Sequence, residues 1–283
     1  MAFRSVAHSQ PTGGYACGAP GPETSRPSSL KTSRDERVVN NVSSKEKPGA
    51  EHLALHTRES QALLDRLEKH ADEYPRLDEL QHWQRARLQE TYADLKRQSR
   101  FELACVFFLE ELYGGRDMRA RDAQLDRARP VMSRMLPDHL LHAVGEAMRL
   151  QWMSMELDAR LSQEIEGELD QAEYARAYRR LELWDARKEQ IRLIGDLGHL
   201  LQRTVARPLI RRLVRWMHAP AVAAGFGKLQ EFLDEGLEAF GVMGADAEHF
   251  VGTIVDRETR ALERIREGSD RPFEEWIGDG PEG

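Results

Sequence analysis

From Glu51 to Gly268 the apolar residues of this chain recur every three to four positions, and that spacing leaves few folds open. Leu53, Leu63, Leu64, Leu67, Ala71 and Tyr74 fall near one face of a first helix, which Pro75 ends. Leu77, Leu80, Trp83, Leu88, Tyr92 and Leu95 mark a second. The next segment, Phe101 to Leu112, is apolar almost all round, which predicts a central position, with Gly114 and Gly115 as its stop. Pro130 either kinks one helix or opens another. Leu141, Val144, Met148, Trp152, Met155 and Leu161 define a long helix that stops near Gly167. Asp170 and Glu173 form a capping-box start, and Asp185 caps the helix after it. Pro208 opens a short helix in which Leu209, Ile210, Leu213, Val214 and Met217 pack inward. Pro220 opens the following one, Gly244 ends it, and Asp246 caps the last. No run alternates β-branched residues in period two, so the reading is an all-α, multi-helix bundle of about ten helices with no sheet.

Residues 1–50 break the pattern. They are rich in Pro, Gly, Ser and Thr and offer too few apolar groups to offset the entropy of ordering. The expectation is a disordered tail over 1–50, one bundle domain over 51–268, and an acidic segment over 269–283 in which Phe273, Trp276 and Ile277 are available to dock on the core.

Charge narrows the function classes. With 48 acidic against 41 basic residues the net charge is −7, which disfavours general nucleic-acid binding, because phosphate attraction drives it. No secretory leader is read at the N-terminus, and the longest apolar run, Ala104 to Leu109, is far too short for a membrane span. The two cysteines, Cys17 and Cys105, make neither a disulfide framework nor a zinc spacing. Together these features lead to an expected cytoplasmic location.

Two groups of residues could carry chemistry. Glu110 and Glu111 sit beside Phe107 and Phe108 on an otherwise buried helix; adjacent positions point about 100° apart, so both cannot face water fully. Their functional reading is a metal ligand or general base, realised if Glu110, Glu111 and His142 converge on a cavity; the plainer reading is an ion pair to Arg116, Arg119 or Arg121. The second group is Arg203, Arg207, Arg211 and Arg215, a four-residue repeat with Arg212 beside it. It suits a phosphate, an acidic protein or anionic lipid, unless Glu231, Asp234, Glu235 and Glu238 neutralise it. Carboxylate-x-x-His pairs occur at Glu79/His82, Asp196/His199 and Asp246/His249, but a di-iron bundle needs two Glu-x-x-His pairs and two further glutamates. No nucleophile elbow or P-loop is present; Gly225-Phe226-Gly227-Lys228 lacks the Ser/Thr and the strand.

Phe107 to Gly114, Arg116-Asp117, Arg121-Asp122, Pro130-Val131-Met132 and Leu136-Pro137 resemble a family of all-helical bacterial proteins, chiefly proteobacterial. So do Gln84, Arg87, Leu88, Thr91, Tyr92, Ala93, Asp94 and Leu95, then Arg207-Pro208-Leu209-Ile210 and Glu258-Thr259-Arg260. The resemblance spans roughly 80–265 and departs from the family at Gly115, where a proline is usual. It implies an all-α fold and brings no catalytic residue with it. The sequence therefore reads as a binding or scaffolding accessory protein that contacts another protein or an anionic ligand, with no cofactor or metal assigned. The competing reading is a metal- or haem-binding bundle.

Overall fold

The computed structural model describes residues 47–113 and 118–278, the side chains of 110–113, 118–120 and 211 excepted. Among the described residues there are twelve α-helices and no strand. They are α1 (Pro48–Lys69), α2 (Leu77–Thr91), α3 (Ala93–Lys96), α4 (Ser99–Tyr113), α5 (Met118–Met135), α6 (Asp138–Gln163), α7 (Gln171–Leu181), α8 (Trp184–Val205), α9 (Pro208–Ala223), α10 (Gly227–Met243), α11 (Ala247–Arg266) and α12 (Glu274–Ile277). Ten run eleven residues or more; α3 and α12 are single turns. The chain is all-α, as the apolar spacing requires.

Local chemistry sets several boundaries. Pro48 and Pro208 occupy first-turn positions, where the missing N–H costs nothing. Asp170 caps α7 by accepting the Glu173 N–H at 2.7 Å. The Glu173 carboxylate does not return to Asp170; it accepts the Glu166 N–H at 2.9 Å and pairs with Arg176 and Arg180, which ties down the connection from α6.

Four boundary expectations need correction. Pro48, Gly49 and Ala50, read as the end of the tail, open α1, and the rest of that tail, through 46, lies outside the described residues. Of the internal prolines, Pro130 lies inside one continuous helix, α5, in keeping with the first of its two readings. Pro220 opens nothing; it lies inside α9, and α10 begins seven residues later at Gly227. Both prolines are solvent-exposed, so water can solvate the carbonyl each leaves without a partner one turn back. Asp246 does not cap α11: its backbone is already helical, and its side chain instead accepts from Arg100 at 2.7 Å. Asp185 sits in the first turn of α8, behind the N-cap residue Leu183.

The longest seam joins α1 to α6. Contact partners across it keep a nearly constant separation in sequence: Gly49 with Asp138, His52 with Glu146, Ser60 with Gln151, Arg66 with Glu156. The two helices therefore run parallel. Gly49 and Gly145 let them touch closely: a Cβ on Gly49 would come 2.8 Å from the His142 nitrogen, and one on Gly145 would come 2.5 Å from His52 Cδ2. Against this seam α5 adds Leu125, Ala128 and Met132, sharing a core with Ala50, Leu53, Leu141 and Met148.

A second core gathers Tyr92, Leu95, Phe101, Cys105, Phe240, Met243, Phe250 and Val251 from α2–α4, α10 and α11. A third joins Leu80, Leu161, Tyr174, Ile265, Phe273 and Ile277, so the chain's last turn packs into the body. Helix α4 is less central than its composition suggests, since Leu103 and Val106 are exposed. No described helix is long and apolar enough to cross a membrane.

Candidate functional site

The structure distributes the sequence-nominated residues over separate elements. Glu110, Glu111 and Arg211 lie outside the described side chains. His142 is exposed on the first turns of α6. Arg203 lies in the last turn of α8, Arg207 is the N-cap of α9, and Arg215 lies within α9; all three are exposed.

Helix α9 is peripheral. Its inward face, Ile210, Leu213, Val214 and Met217, is only partly covered, and none of its described residues is fully buried. Leu209, expected to pack inward, is 75% exposed, and Trp216 is 76% exposed. With Arg212 between them they occupy positions i, i+3 and i+7, one side of a helix. Two of the acidic residues expected to neutralise the arginines pair with other cations: Asp234 with His218 at 2.9 Å and Glu231 with Lys228 at 3.3 Å. Among the described residues no ion pair involves Arg203, Arg207, Arg212 or Arg215. Most other arginines do have carboxylate partners, as at Arg87–Glu258, Arg149–Glu189 and Arg257–Asp94.

The resemblance-bearing residues of α2 and α11 converge in the interior. Arg87 donates to Glu258 at 2.6 Å, and the Tyr92 hydroxyl donates to the same oxygen at 2.7 Å. Arg257 holds Asp94 and the Thr91 carbonyl. Arg87, Tyr92 and Glu258 border a cavity of about 100 Å³ also lined by Gln84, Phe108, Tyr174, Tyr178 and Arg187. Burial, ahead of the field of nearby Glu258, pushes the Tyr92 phenol well above its usual range, and burial also raises Asp158 despite Arg187 beside it. The volume accommodates about three waters and falls well short of an ordinary ligand pocket. This region is a buried ion-pair network that locks α2 to α11. Cys105 borders it too, and burial pushes its thiol up to about 11, which removes it as a nucleophile at neutral pH.

At the top of the α1–α6 seam three imidazoles meet. His52 stacks on His142 with ring centroids 4.2 Å apart, and His56 meets His52 edge-on at 4.4 Å. His52 Nε2 lies 2.6 Å from Glu146 Oε1, while Arg149 donates to the other Glu146 oxygen at 3.2 Å. Burial, only partly countered by Glu146, lowers the His52 pKa; the neighbouring His142 and His56 push the same way. The three carboxylate-x-x-His pairs do not form such a group: Glu79 pairs with Arg76, Asp196 with Arg192 and Asp246 with Arg100.

Sequence reasoning missed His52, Glu146 and Trp216. Trp216 could have been found, since it stands beside Arg215 on a short helix whose inward positions are already filled. His52 and Glu146 carry no local signal, because they meet only across two helices about ninety positions apart. No curated protein and no solved structure matches the chain. A family model described as a domain of unknown function, DUF8198, matches residues 64–272. That match takes in α2 to α11 whole, with the network and the arginine-bearing helix, and the chain belongs to this family.

Proposed function

We propose that this protein is a cytoplasmic accessory protein that docks an acidic segment of a partner protein on the outer face of α9. The observation that carries the reading is Arg207, Arg212 and Arg215, exposed and without ion pairs among the described residues, flanking the exposed Leu209 and Trp216. Tryptophan and arginine are the residues that most often anchor protein interfaces, and the spacing of Leu209, Arg212 and Trp216 matches the way a helix presents anchors to a groove. The family-like stretch Arg207-Pro208-Leu209 lies on this surface, where core packing gives no reason for it. A membrane surface is a poorer occupant, because α9 already turns its continuous apolar face toward the body. Nucleic acid is disfavoured by the net charge of −7. The free, buried Cys105 is in keeping with a reducing compartment.

The test is photo-crosslinking from position 209 in the native host, comparing the natural chain with Arg212→Glu/Arg215→Glu. Both positions are exposed, so the variant should match the natural chain in stability to within about 0.5 kcal/mol. The expected result is an acidic protein captured by the natural chain, lost from the variant, and captured less as salt rises. Capture of the same protein by both chains, or of lipid or nucleic acid in its place, rejects the reading.

A further inference from the structure

We infer that His52, His142 and Glu146 form a binding site for a divalent cation of borderline softness, zinc being the best fit, at the seam between α1 and α6. One donor atom from each of the three lies within 4.8 Å of the other two. Two imidazoles and a carboxylate are a donor set that zinc takes with one position left for water. Tetrahedral donors at about 2.1 Å from zinc stand roughly 3.4 Å apart, so side-chain rotation must part His52 Nε2 and Glu146 Oε1, now 2.6 Å apart, and bring the His142 nitrogen, within 4.8 Å of both ligand groups, to the same spacing.

The backbone prepares this arrangement. His142 and Glu146 are four residues apart on α6 and project from one face. The bare Cα of Gly145, between them in sequence, is what lets the His52 ring of α1 come down onto α6. Arg149 fixes Glu146 from its other oxygen and leaves Oε1 facing His52 Nε2. Such an outer contact orients a ligand in the way supporting residues do at metal centres. Cation binding would take the His52 tautomer that carries its proton on Nδ1, so that Nε2 and Glu146 Oε1, now hydrogen-bonded to each other, both bond to the metal instead. His142, exposed, leaves the open coordination position facing water. A cation here would clamp α1 to α6. The inference is independent of the reading of α9.

The experiment uses the full chain without a histidine tag, stripped with a chelator and titrated separately with cobalt and zinc. One equivalent of cobalt should bind, with the d–d absorption of a four-coordinate ion, and zinc should displace it. Zinc should also raise the melting temperature of the natural chain. His142→Ala and Glu146→Gln should each weaken zinc by more than the 10–100-fold typical of losing a supporting contact, and should abolish the thermal shift. His82→Ala, which removes an exposed histidine on α2, should change neither. Circular dichroism in the absence of metal separates loss of the site from loss of the fold. No stoichiometric binding to the natural chain, or binding that survives in the folded His142→Ala/Glu146→Gln double variant, overturns the inference.

Discussion

Glu173 shows how much one carboxylate can join. It is buried, yet its carboxyl sits below its ordinary value, because the Glu166 N–H and the guanidiniums of Arg180 and Arg176 outweigh the cost of burial. A carboxylate whose folded pKa is depressed adds stability that is complete above its unfolded value, near 4.5, and is lost as pH falls through the folded value. Glu173→Gln should therefore lower the urea midpoint at pH 7, by about 1–3 kcal/mol in stability. The gap between variant and natural chain should close as acid protonates Glu173. Urea titrations across the acid range check both the gap and its closure. Asp122 is the opposite case. It is fully buried where α1, α5 and α6 meet, accepts from Ser60 at 3.0 Å and Gln151 at 2.9 Å, and is held above the ordinary carboxylate range by burial. Its protonated form is favoured on folding, so it adds to stability in acid and offsets part of the loss from Glu173.

At the scale of elements, apolar periodicity predicted the helices because each hides its own stripe, a property local to about four turns of chain. At the last described turn Phe273 and Ile277 are buried. What failed was chemistry with two local solutions. Asp246 could cap a helix or pair with Arg100, and only the tertiary position of α4 decides. Leu209 reads as buried until α9 proves to be peripheral. Pairwise geometry was equally hidden: nothing near Gly145 in sequence reveals that α1 lies against it. The seam gives a direct prediction. On an isolated helix Gly→Ala gains about 1 kcal/mol, but Gly145→Ala should destabilise by roughly 1–3 kcal/mol, since the new methyl meets the Leu53 backbone as well as the His52 ring. A rise in melting temperature for this variant would show that the helices stand further apart than described.

Taken whole, the described part of the molecule is held by the three cores above and a smaller one around Leu63 and Met155, with arginines bridging between helices. Phe273 illustrates the bridging: it packs on Tyr174 at 5.7 Å and beneath the Arg87 guanidinium at 4.4 Å, and its N–H reaches Gln171. Phe273→Ala should cost about 3–5 kcal/mol in chemical denaturation and should loosen α7, α2 and α12 together, visible as faster amide exchange in all three. Loss confined to α12 would mean that the C-terminal turn only covers the body. The charge distribution has the same organisation. Carboxylates meet arginines across several helix pairs, among them α1–α6, α2–α11 and α6–α8, whereas Arg207, Arg212 and Arg215 make no ion pair among the described residues.

The parallel course of α1 and α6 also bears on how the chain comes to be made. Two parallel helices cannot be joined by a short turn, and here α2 to α5 are strung between them. During synthesis the apolar stripe of α1 stays uncovered until α5 and then α6 follow, α6 about ninety residues later. Closing so long a loop is slow relative to making neighbouring hairpins, so this seam forms late. By the same reasoning the contacts of α2 with α11, such as Arg87 with Glu258, close a longer loop still.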